Sequence, residues 1–286
     1  MISGTGPMKK VAVLGLGIVG SRVRENLIKA GYPVSCWSRT FRELDGETKT
    51  PDEAVEGADF ISMYLKDVPM TREVFGKIKG SLKGGCILLN HSTINLSTTL
   101  WLAEQCREIG CKFLDAPFTG SKDAAAEGQL LYYLGGSEEL IDEVRPVLQV
   151  SSKAVKRCGD IGAGTVVKLG TNLISASYVQ AMSEALVIAE KNGVDPKVFA
   201  DCAMANASGS KMMEMKYPLM LKGDFDAHFT MSNMLKDSKY AMELGESVGV
   251  DLPGISVVSA QMEMMCERGD DDLDYSALVK ALWQNK

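Results

Sequence analysis

The chain has 286 residues, of which 45% are hydrophobic and 24% charged, so it is long enough for about two domains of an ordinary soluble globular protein. Its 31 basic and 37 acidic residues give a net charge of -6, which argues against a nucleic-acid partner because phosphate recognition requires a basic surface. Seven cysteines without a CxxC pair and only two histidines exclude a patterned metal site and favour free thiols in the cytoplasm, and no apolar run reaches the roughly 20 residues of a membrane span.

The first half begins with a nucleotide-binding pattern. After residues 1–7, which we expect to form a disordered leader, Val11–Leu14 is predicted as a buried strand, and an amphipathic helix follows up to Gly31. The turn between them matches G-x-G-x-x-G and consists of Gly15, Leu16, Gly17, Ile18, Val19 and Gly20. The first glycine allows a tight turn, the second lets the backbone approach a pyrophosphate, and the third allows the helix to pack closely on the strand. This context predicts a dinucleotide site.

The residues after the second predicted strand, Pro33 to Trp37, indicate which dinucleotide is bound. An acid at this position would bind the ribose 2′-hydroxyl of NAD, whereas arginine accommodates the 2′-phosphate of NADP. The residues here are Ser38, Arg39 and Thr40, with no acid among them. Because a guanidinium pairs well with phosphate, we predict NADP(H) as the cofactor.

Strands and helices continue to alternate over residues 8–163, which predicts an α/β domain with a Rossmann-type, doubly wound parallel sheet. Further strands are expected at Asp59–Met63, Cys86–Leu89, Lys112–Asp115, Leu130–Leu134 and Ala154–Arg157, and Tyr64–Pro69 is expected to be a loop. Ligand-binding residues belong at the carboxyl ends of such strands. These ends carry Met63, Tyr64 and Leu65, then Asn90 to Thr93, then Ala116 to Ser121. We interpret His91, in the second group, as a hydrogen-bonded structural histidine rather than a general acid.

The second half has no strand pattern and is predicted to be all-α. A long interdomain helix is expected over residues 164–192, followed by a helical domain over residues 193–286. Its further helices are predicted at Pro196–Asn206, Lys211–Leu221, Ser232–Val248, Gly254–Arg268 and Asp274–Trp283. The acidic run from Asp270 to Asp274 is expected to be a solvated loop whose last residue caps the final helix.

The start of the long helix carries the candidate catalytic pair, Lys168 and Asn172. They are four residues apart and therefore lie on one helical face, in what we expect to be an interdomain cleft. Hydride delivery from NADPH to a carbonyl develops negative charge on the oxygen, which the Lys168 ammonium can neutralise and protonate. Asn172 can orient Lys168 or the substrate oxygen, since its amide both donates and accepts. Gly120, Ser121 and Thr93 are suited to hold a substrate carboxylate.

Four stretches resemble the β-hydroxyacid dehydrogenase family, most closely its glyoxylate and succinic semialdehyde reductase branch. They are Gly15–Gly20 with Ser38–Thr40, Asp115–Ser121 with Glu127–Leu130, Gly162–Lys168 with Asn172, and the pair Lys236 and Asp237. The resemblance implies a cofactor loop, a substrate signature and a catalytic signature in the first three stretches. It further implies that Lys236, Asp237 and Phe229, from the helical domain, lie near the cofactor or the substrate.

The leading interpretation is NADPH-dependent reduction of a small aldehyde or keto acid, of the glyoxylate or succinic semialdehyde type, with Lys168 as the proton donor. Three alternatives remain open. They are a β-hydroxyacid dehydrogenase of the 3-hydroxyisobutyrate or tartronate semialdehyde type, an imine-reductase-like enzyme, which should not need Lys168, and a non-catalytic nucleotide-binding scaffold. A small molecule is the expected partner, and the apolar helical faces favour a homodimer or homotetramer.

Overall fold

The structure, a computed structural model, describes residues 8–283. The predicted leader, residues 1–7, lies outside these described residues. The chain divides into two compact units, the first ending at Lys168 and the second beginning at Leu169. One α-helix, α7 (Ala163–Lys191), starts in the first unit and continues into the second.

The first unit is built on a single sheet. Among residues 8–283 the strands are β1 (Val11–Leu14), β2 (Val34–Trp37), β3 (Phe60–Met63), β4 (Ile87–Asn90), β5 (Lys112–Asp115), β6 (Phe118–Thr119), β7 (Leu130–Gly135) and β8 (Ser152–Gly159). Their order is β2-β1-β3-β4-β5-β7-β6, with β8 also paired to β7. The strands from β2 to β5 are parallel, as predicted. The short β6 was not predicted, and β7 pairs antiparallel with both β5 and β6, so this end of the sheet is mixed.

Helices cover both faces of this sheet. They are α1 (Ile18–Lys29), α2 (Pro51–Val55), α3 (Val68–Ile78), α4 (Leu96–Glu108), α5 (Lys122–Ala126) and α6 (Glu138–Gln149). Alternate residues of β1 point to opposite cores: Val11 and Val13 pack with α1 and α6, whereas Ala12 and Leu14 pack with α2, α3 and α4. This two-sided burial is what a doubly wound sheet requires. The predicted fold class is therefore confirmed.

The start of α3 corrects one predicted boundary. The sequence analysis assigned Tyr64–Pro69 to a loop, but the helix already begins at Val68. Asp67 caps it, since its side chain accepts a hydrogen bond from the Met70 amide. Proline is tolerated in the first helical turn because the amide it lacks has no partner there in any case.

The second unit is helical, as predicted. After α7 come α8 (Pro196–Ala205), α9 (Lys211–Lys222), α10 (Met231–Ser247), α11 (Pro253–Glu267) and α12 (Leu278–Trp283). Its core combines the buried side of α7, including Val179 and Leu186, with methionines such as Met213, Met234 and Met262. Within residues 8–283 no helix has the length and apolarity needed to cross a bilayer.

A buried ion pair anchors the segment that precedes α10. Asp274 is fully buried and accepts hydrogen bonds from Lys216 Nζ at 2.7 and 2.9 Å. The same carboxylate caps the 3₁₀ turn at Tyr275–Ala277 and accepts the His228 and Phe229 amides, each at 3.1 Å. Burial raises the pKa of Asp274, but Lys216 and the hydrogen bonds from the Ser276 hydroxyl and amide outweigh burial and hold it below its usual value. Asp274 is thus a cap, as predicted, but of this 3₁₀ turn, since α12 begins only at Leu278. The expectation of a solvated loop is wrong for Asp274.

Candidate active site

The glycine-rich turn lies where the sheet changes direction. The chain leaves β1 for β2 on one side and then crosses to β3 on the other, and ligands of such sheets bind at the carboxyl ends of the strands beside this switch point. Gly15 has a φ of +98°, and a Cβ there would lie 2.3 Å from the Tyr64 carbonyl oxygen, which follows β3. A Cβ on Gly20 would lie 2.0 Å from the Gly15 oxygen. Both positions therefore require glycine for packing reasons.

Gly17 differs from the other two glycines of the turn. A Cβ built on it meets no atom of the described residues within 4 Å, so the backbone faces open space. Gly17 is also the N-cap of α1 and has no side chain to cap the first helical amides. Open backbone at an uncapped helix N-terminus is what a pyrophosphate needs, so this turn fits a dinucleotide. Leu16 is buried beneath the turn, whereas the Ile18 side chain is exposed.

The loop after β2 presents two of its three predicted cofactor residues to solvent. Arg39 and Thr40 are exposed, while Ser38 is buried and donates from its hydroxyl to the Thr40 carbonyl at 2.7 Å. No acid occurs in this stretch, but Glu47 folds back onto it and lies 3.3 Å from the Ser38 hydroxyl. Sequence reasoning missed Glu47 because it follows the loop by several residues. The only signal in the sequence was a glycine, Gly46, directly before Glu47. In the structure Gly46 has a φ of +71°, and the chain turns back there.

The ends of β3 and β4 are joined to β7 through one aromatic cluster. His91 stacks on Tyr64 with ring centroids 4.3 Å apart, and the Tyr64 hydroxyl lies 2.8 Å from that of Tyr132. Leu65 is held by its amide, which donates to the Ser92 hydroxyl at 2.8 Å. Met63 is fully buried. The three predicted residues at the end of β3 are thus packed against the loop that carries Thr93.

His91 is a structural residue in this geometry. Its Nδ1 lies 2.8 Å from the Ala116 carbonyl, which can only accept, so Nδ1 carries the proton. Its Nε2 lies 3.3 Å from the Ser62 hydroxyl. Burial lowers the pKa of His91 to about 4, which keeps the ring neutral. The prediction of a hydrogen-bonded structural histidine agrees with these contacts.

Asp115, at the end of β5, holds the start of the helix that carries Lys168. Its carboxylate is fully buried and accepts the Thr165 amide at 2.8 Å and the Thr165 hydroxyl at 2.7 Å. A Cβ on Gly164 would lie 3.0 Å from Asp115 Oδ2, so glycine is needed there. Burial raises the pKa of Asp115 to about 6, even though the Thr165, Gly162 and Gly164 amides favour the charged form. Lys168 follows within one helical turn and is 7% exposed.

The loop after β5 contains Gly120 and Ser121. Gly120 is exposed and has a φ of +144°, a backbone conformation that favours glycine. Ser121 caps α5, since its hydroxyl accepts the Ala124 amide at 3.2 Å. As an acceptor in that bond, the hydroxyl keeps its own proton for donation. Thr93 and Lys168 also belong to this first unit, together with the glycine-rich turn.

The remaining predicted residues belong to the second unit, where three of them form one polar network. Asp237 is 1% exposed and accepts two short bonds of 2.6 Å, from Asn172 Nδ2 and from Lys236 Nζ. The Lys236 ammonium also lies 5.0 Å from the centre of the Tyr240 ring. Phe229 stands apart from this network and packs against Tyr275, with ring centroids 6.2 Å apart.

Comparison with known proteins identifies the family. Residues 10–160 match the family described as the NAD binding domain of 6-phosphogluconate dehydrogenase, and residues 162–282 match the one described as NAD-binding of NADP-dependent 3-hydroxyisobutyrate dehydrogenase. The chain is 30% identical to 2-hydroxy-3-oxopropionate reductase of Escherichia coli, over 96% of this chain and 97% of that protein. The chain belongs to the β-hydroxyacid dehydrogenase family.

Two further relatives span the whole fold of this β-hydroxyacid dehydrogenase. Glyoxylate/succinic semialdehyde reductase 2 of Arabidopsis thaliana is 29% identical over 95% of this chain and 79% of its own length. The solved structure of 3-hydroxyisobutyrate dehydrogenase of Mycobacterium tuberculosis with L-serine superposes with a TM-score of 0.90 at 25% identity, covering 96% of this chain and 99% of that chain. The protein is therefore an oxidoreductase that uses a nicotinamide cofactor and acts on small hydroxy acids or the corresponding carbonyl compounds.

The role of Asp115 in holding α7, like that of Glu47, was not predicted from the sequence of this β-hydroxyacid dehydrogenase. Asp115 was named there only as the first residue of the substrate signature. Its partner Thr165 is 50 residues further along the chain, so no local pattern could join them. The available signal was an acid as the last residue of an apolar strand, since a buried carboxylate needs donors.

Two buried groups of the first unit, His91 and Asp115, make the free energy of unfolding depend on pH in opposite directions. The His91 pKa falls from 6.5 to about 4 on folding, so its contribution to the free energy of unfolding is lost as the pH falls from 6.5 through 4. The Asp115 pKa rises from 3.8 to about 6, so its contribution is lost as the pH rises from 4 through 6. We expect the two slopes to oppose each other in this window.

Single replacements should expose each slope. In His91→Gln, where Asp115 remains, the free energy of unfolding should fall by about 3 kcal/mol as the pH rises from about 4 to about 7. In Asp115→Asn, where His91 remains, the free energy of unfolding should instead fall by a similar amount as the pH falls from about 7 to about 4. Urea unfolding at several pH values measures both, followed by Trp37 and Trp101 fluorescence in a Trp283→Phe background so that the signal comes from the first unit. Parallel pH profiles for the wild type and both variants would contradict the assignment.

Proposed function

We propose that this enzyme reduces a small aldehyde or keto acid to the hydroxy acid with NADPH, in the manner of a glyoxylate or succinic semialdehyde reductase. The observation that carries the proposal is the hydrogen bonding of Asp115 to Thr165, which fixes the start of α7 and with it Lys168 in the unit that contains the glycine-rich turn. The activities for which the Arabidopsis and Escherichia coli relatives are named support the substrate class.

Lys168 is the proposed proton donor. The bound cofactor supplies a hydride to the substrate carbonyl carbon. As negative charge grows on the carbonyl oxygen, the Lys168 ammonium stabilises it and then transfers a proton from Nζ to that oxygen. Lys168 suits this task because it is 7% exposed, and the attraction between an ammonium and a growing negative charge is stronger in low-dielectric surroundings than in water.

The substrate carboxylate is proposed to bind at Gly120, Ser121 and Thr93. Gly120 exposes its backbone to an anion, and the Ser121 and Thr93 hydroxyls are donors of the right type. This arrangement favours substrates that carry a carboxylate in addition to the reacting carbonyl. It therefore supports an aldehyde acid over a cyclic imine, which has no carboxylate and no need of Lys168.

Asp237 is proposed to act through its neighbours rather than on the substrate. Its carboxylate is buried and occupied by Asn172 and Lys236, which supports a positioning role. Asn172 donates its Nδ2 to Asp237, and the side-chain amide also has a carbonyl oxygen. That oxygen is the acceptor that we propose orients the reacting groups. Lys236 and Phe229 keep the proposed role of cofactor or substrate contacts.

A second candidate is a dehydrogenase of the 3-hydroxyisobutyrate or tartronate semialdehyde type. The solved relative from Mycobacterium tuberculosis favours the first of these substrates, at 25% identity. The Escherichia coli relative favours the second, at 30% identity, because 2-hydroxy-3-oxopropionate is tartronate semialdehyde. Both candidates use Lys168 in the same way, so substrate preference separates them. A difference of a methylene or two changes the free energy of transition-state binding by only about 1–3 kcal/mol.

Replacement of Lys168 tests the proposed chemistry. In Lys168→Met, kcat should fall about 10²- to 10⁴-fold, the usual contribution of a proton donor, while the Kd for NADPH stays within about twofold. Steady-state NADPH oxidation with two-carbon to five-carbon aldehyde and keto acids measures the loss and identifies the best substrate. Lys191→Met, an exposed lysine on the same helix, is the matched control. High residual turnover in Lys168→Met would refute the lysine role, and an inactive wild type on every acid would refute the function.

The cofactor preference is tested at Arg39. We propose that its exposed guanidinium binds the 2′-phosphate, so Arg39→Ala should lower kcat/KM with NADPH by about tenfold or more and leave kcat/KM with NADH nearly unchanged. Arg145→Ala, on α6, serves as the control. The proposal fails if wild-type kcat/KM with NADH equals or exceeds that with NADPH.

We also propose a cytoplasmic homodimer or homotetramer. The seven cysteines are all free thiols, which supports a reducing compartment.

The proposed assembly is argued from α7. On this helix, Ile174 and Ile188 are each 65% exposed and lie fourteen residues apart, on one side of the helix. Ile174→Glu combined with Ile188→Glu should therefore lower the mass measured by light scattering, whereas Val248→Glu, an exposed valine outside α7, should not. A monomeric wild type would contradict this assembly.

A further inference from the structure

The loop after β2 leaves and rejoins the same strand. The Cys36 amide donates to the Gly46 carbonyl at 2.8 Å, and the Thr48 amide donates to the Cys36 carbonyl at 2.9 Å. Residues 46–48 therefore run beside the strand that the chain has just left. The intervening loop, residues 38–45, is closed at its base and carries Arg39 and Thr40 at its exposed side.

One carboxylate organises the interior of this loop. Glu47 Oε2 accepts the Arg42 amide at 2.9 Å and the Leu44 amide at 3.1 Å, and Oε1 lies 3.3 Å from the Ser38 hydroxyl. The two amides flank Glu43, whose φ of +58° is the one positive value for a non-glycine residue among residues 8–283. A left-handed residue of this kind costs of order 1 kcal/mol and persists only where its surroundings hold it. The Glu47 carboxylate supplies that hold.

We propose that Glu47 is a positioning residue that fixes the loop in the conformation in which Arg39 and Thr40 select a cofactor 2′-phosphate. This inference rests on the proposed preference for NADP. Glu47 itself faces into the loop and does not contact the phosphate. Its role is to keep the loop in one conformation before the cofactor arrives, so that binding does not have to order it.

The charge of Glu47 makes the proposal sharply testable. A carboxylate near a 2′-phosphate would by itself repel it and weaken NADP binding. Burial raises the pKa of Glu47, but the Leu44 and Arg42 amides and the Ser38 hydroxyl outweigh burial and lower it, so the group stays ionised. Replacement of Glu47 should therefore raise the Kd for NADP⁺ if its main effect is to order the loop, and lower this Kd if its main effect is to repel the phosphate.

Two arginines extend this order to the rest of the nucleotide site. Arg42 Nη1 donates to the Leu16 carbonyl, in the glycine-rich turn, at 3.0 Å. Arg24, on α1, donates to the Asp45 carbonyl. Because Glu47 holds the backbone of Arg42, it also sets where the Arg42 side chain can reach. Arg42 therefore connects the loop to the turn, while Glu47 holds only the Arg42 backbone.

The test measures cofactor binding rather than turnover. Calorimetric titration with NADP⁺ and with NAD⁺ is carried out on the wild type, Glu47→Ala, Glu47→Gln and the control Glu43→Gln, which removes the same charge from an exposed residue of the same loop. In Glu47→Ala the Kd for NADP⁺ should rise about tenfold, since about a tenth of the molecules would hold the competent loop. Glu47→Gln should raise it only about twofold to threefold because the amide oxygen still accepts.

Three further results complete the test. The Kd for NAD⁺ should change less than about twofold in every variant, since NAD⁺ has no 2′-phosphate to select. Hydrogen exchange of the Arg42 and Leu44 amides in the free protein should accelerate in Glu47→Ala and not in Glu43→Gln. Glu43→Gln should bind both cofactors as the wild type does.

Several outcomes would overturn the proposal. An unchanged or lower Kd for NADP⁺ in Glu47→Ala would mean that repulsion dominates, and equal weakening of both cofactors would mean general damage to the site. If the wild type itself does not prefer NADP⁺, the proposed cofactor preference is wrong, and the selective role of Glu47 falls with it. If the ratio of the Kd values for NAD⁺ and NADP⁺ is the same in Glu47→Ala as in the wild type, the Glu47 role alone is refuted.

Discussion

The hydrogen bonding of Asp115 to the start of α7 is the constraint on which the candidate site depends. A carboxylate in the protein interior is unfavourable unless donors surround it, and here the Thr165 amide and hydroxyl supply them. The sheet and the helix can approach closely enough only because Gly135 and Gly164 have no side chains, since a Cβ on either would lie 3.0 Å from Asp115 Oδ2. Asp115, the last residue of β5, therefore fixes the first turn of α7 and with it the position of Lys168.

Much of the fold could be predicted because its signals are local. The strand Lys112–Asp115 was predicted with its observed bounds, since an apolar run follows a glycine turn. The two residues of β6, by contrast, have no periodicity of their own and form a strand only because they pair with β7. Pro69 was interpreted as a loop residue, although a proline beside a capping aspartate equally marks the first turn of a helix.

The candidate site was predictable where one motif carries it and not where distant segments meet. Lys168 and Asn172 stand at a recognisable spacing behind two glycines, so the sequence alone singled them out. The charge environment of the cofactor loop did not follow from its own residues, because Glu47 returns to it only after the chain has turned back at Gly46. Asp274 was expected in water for the same reason: its partner Lys216 lies 58 residues earlier.

The network around Asp237 also limits how this chain can evolve. Asn172 and Asp237 meet at 2.6 Å as donor and acceptor. An aspartate at position 172 would bring two buried carboxylates to that distance, where one of them must take up a proton. Such a change becomes tolerable only if position 237 acquires a donor in the same lineage. The two side chains therefore constrain each other's identity, even though they are 65 residues apart in sequence.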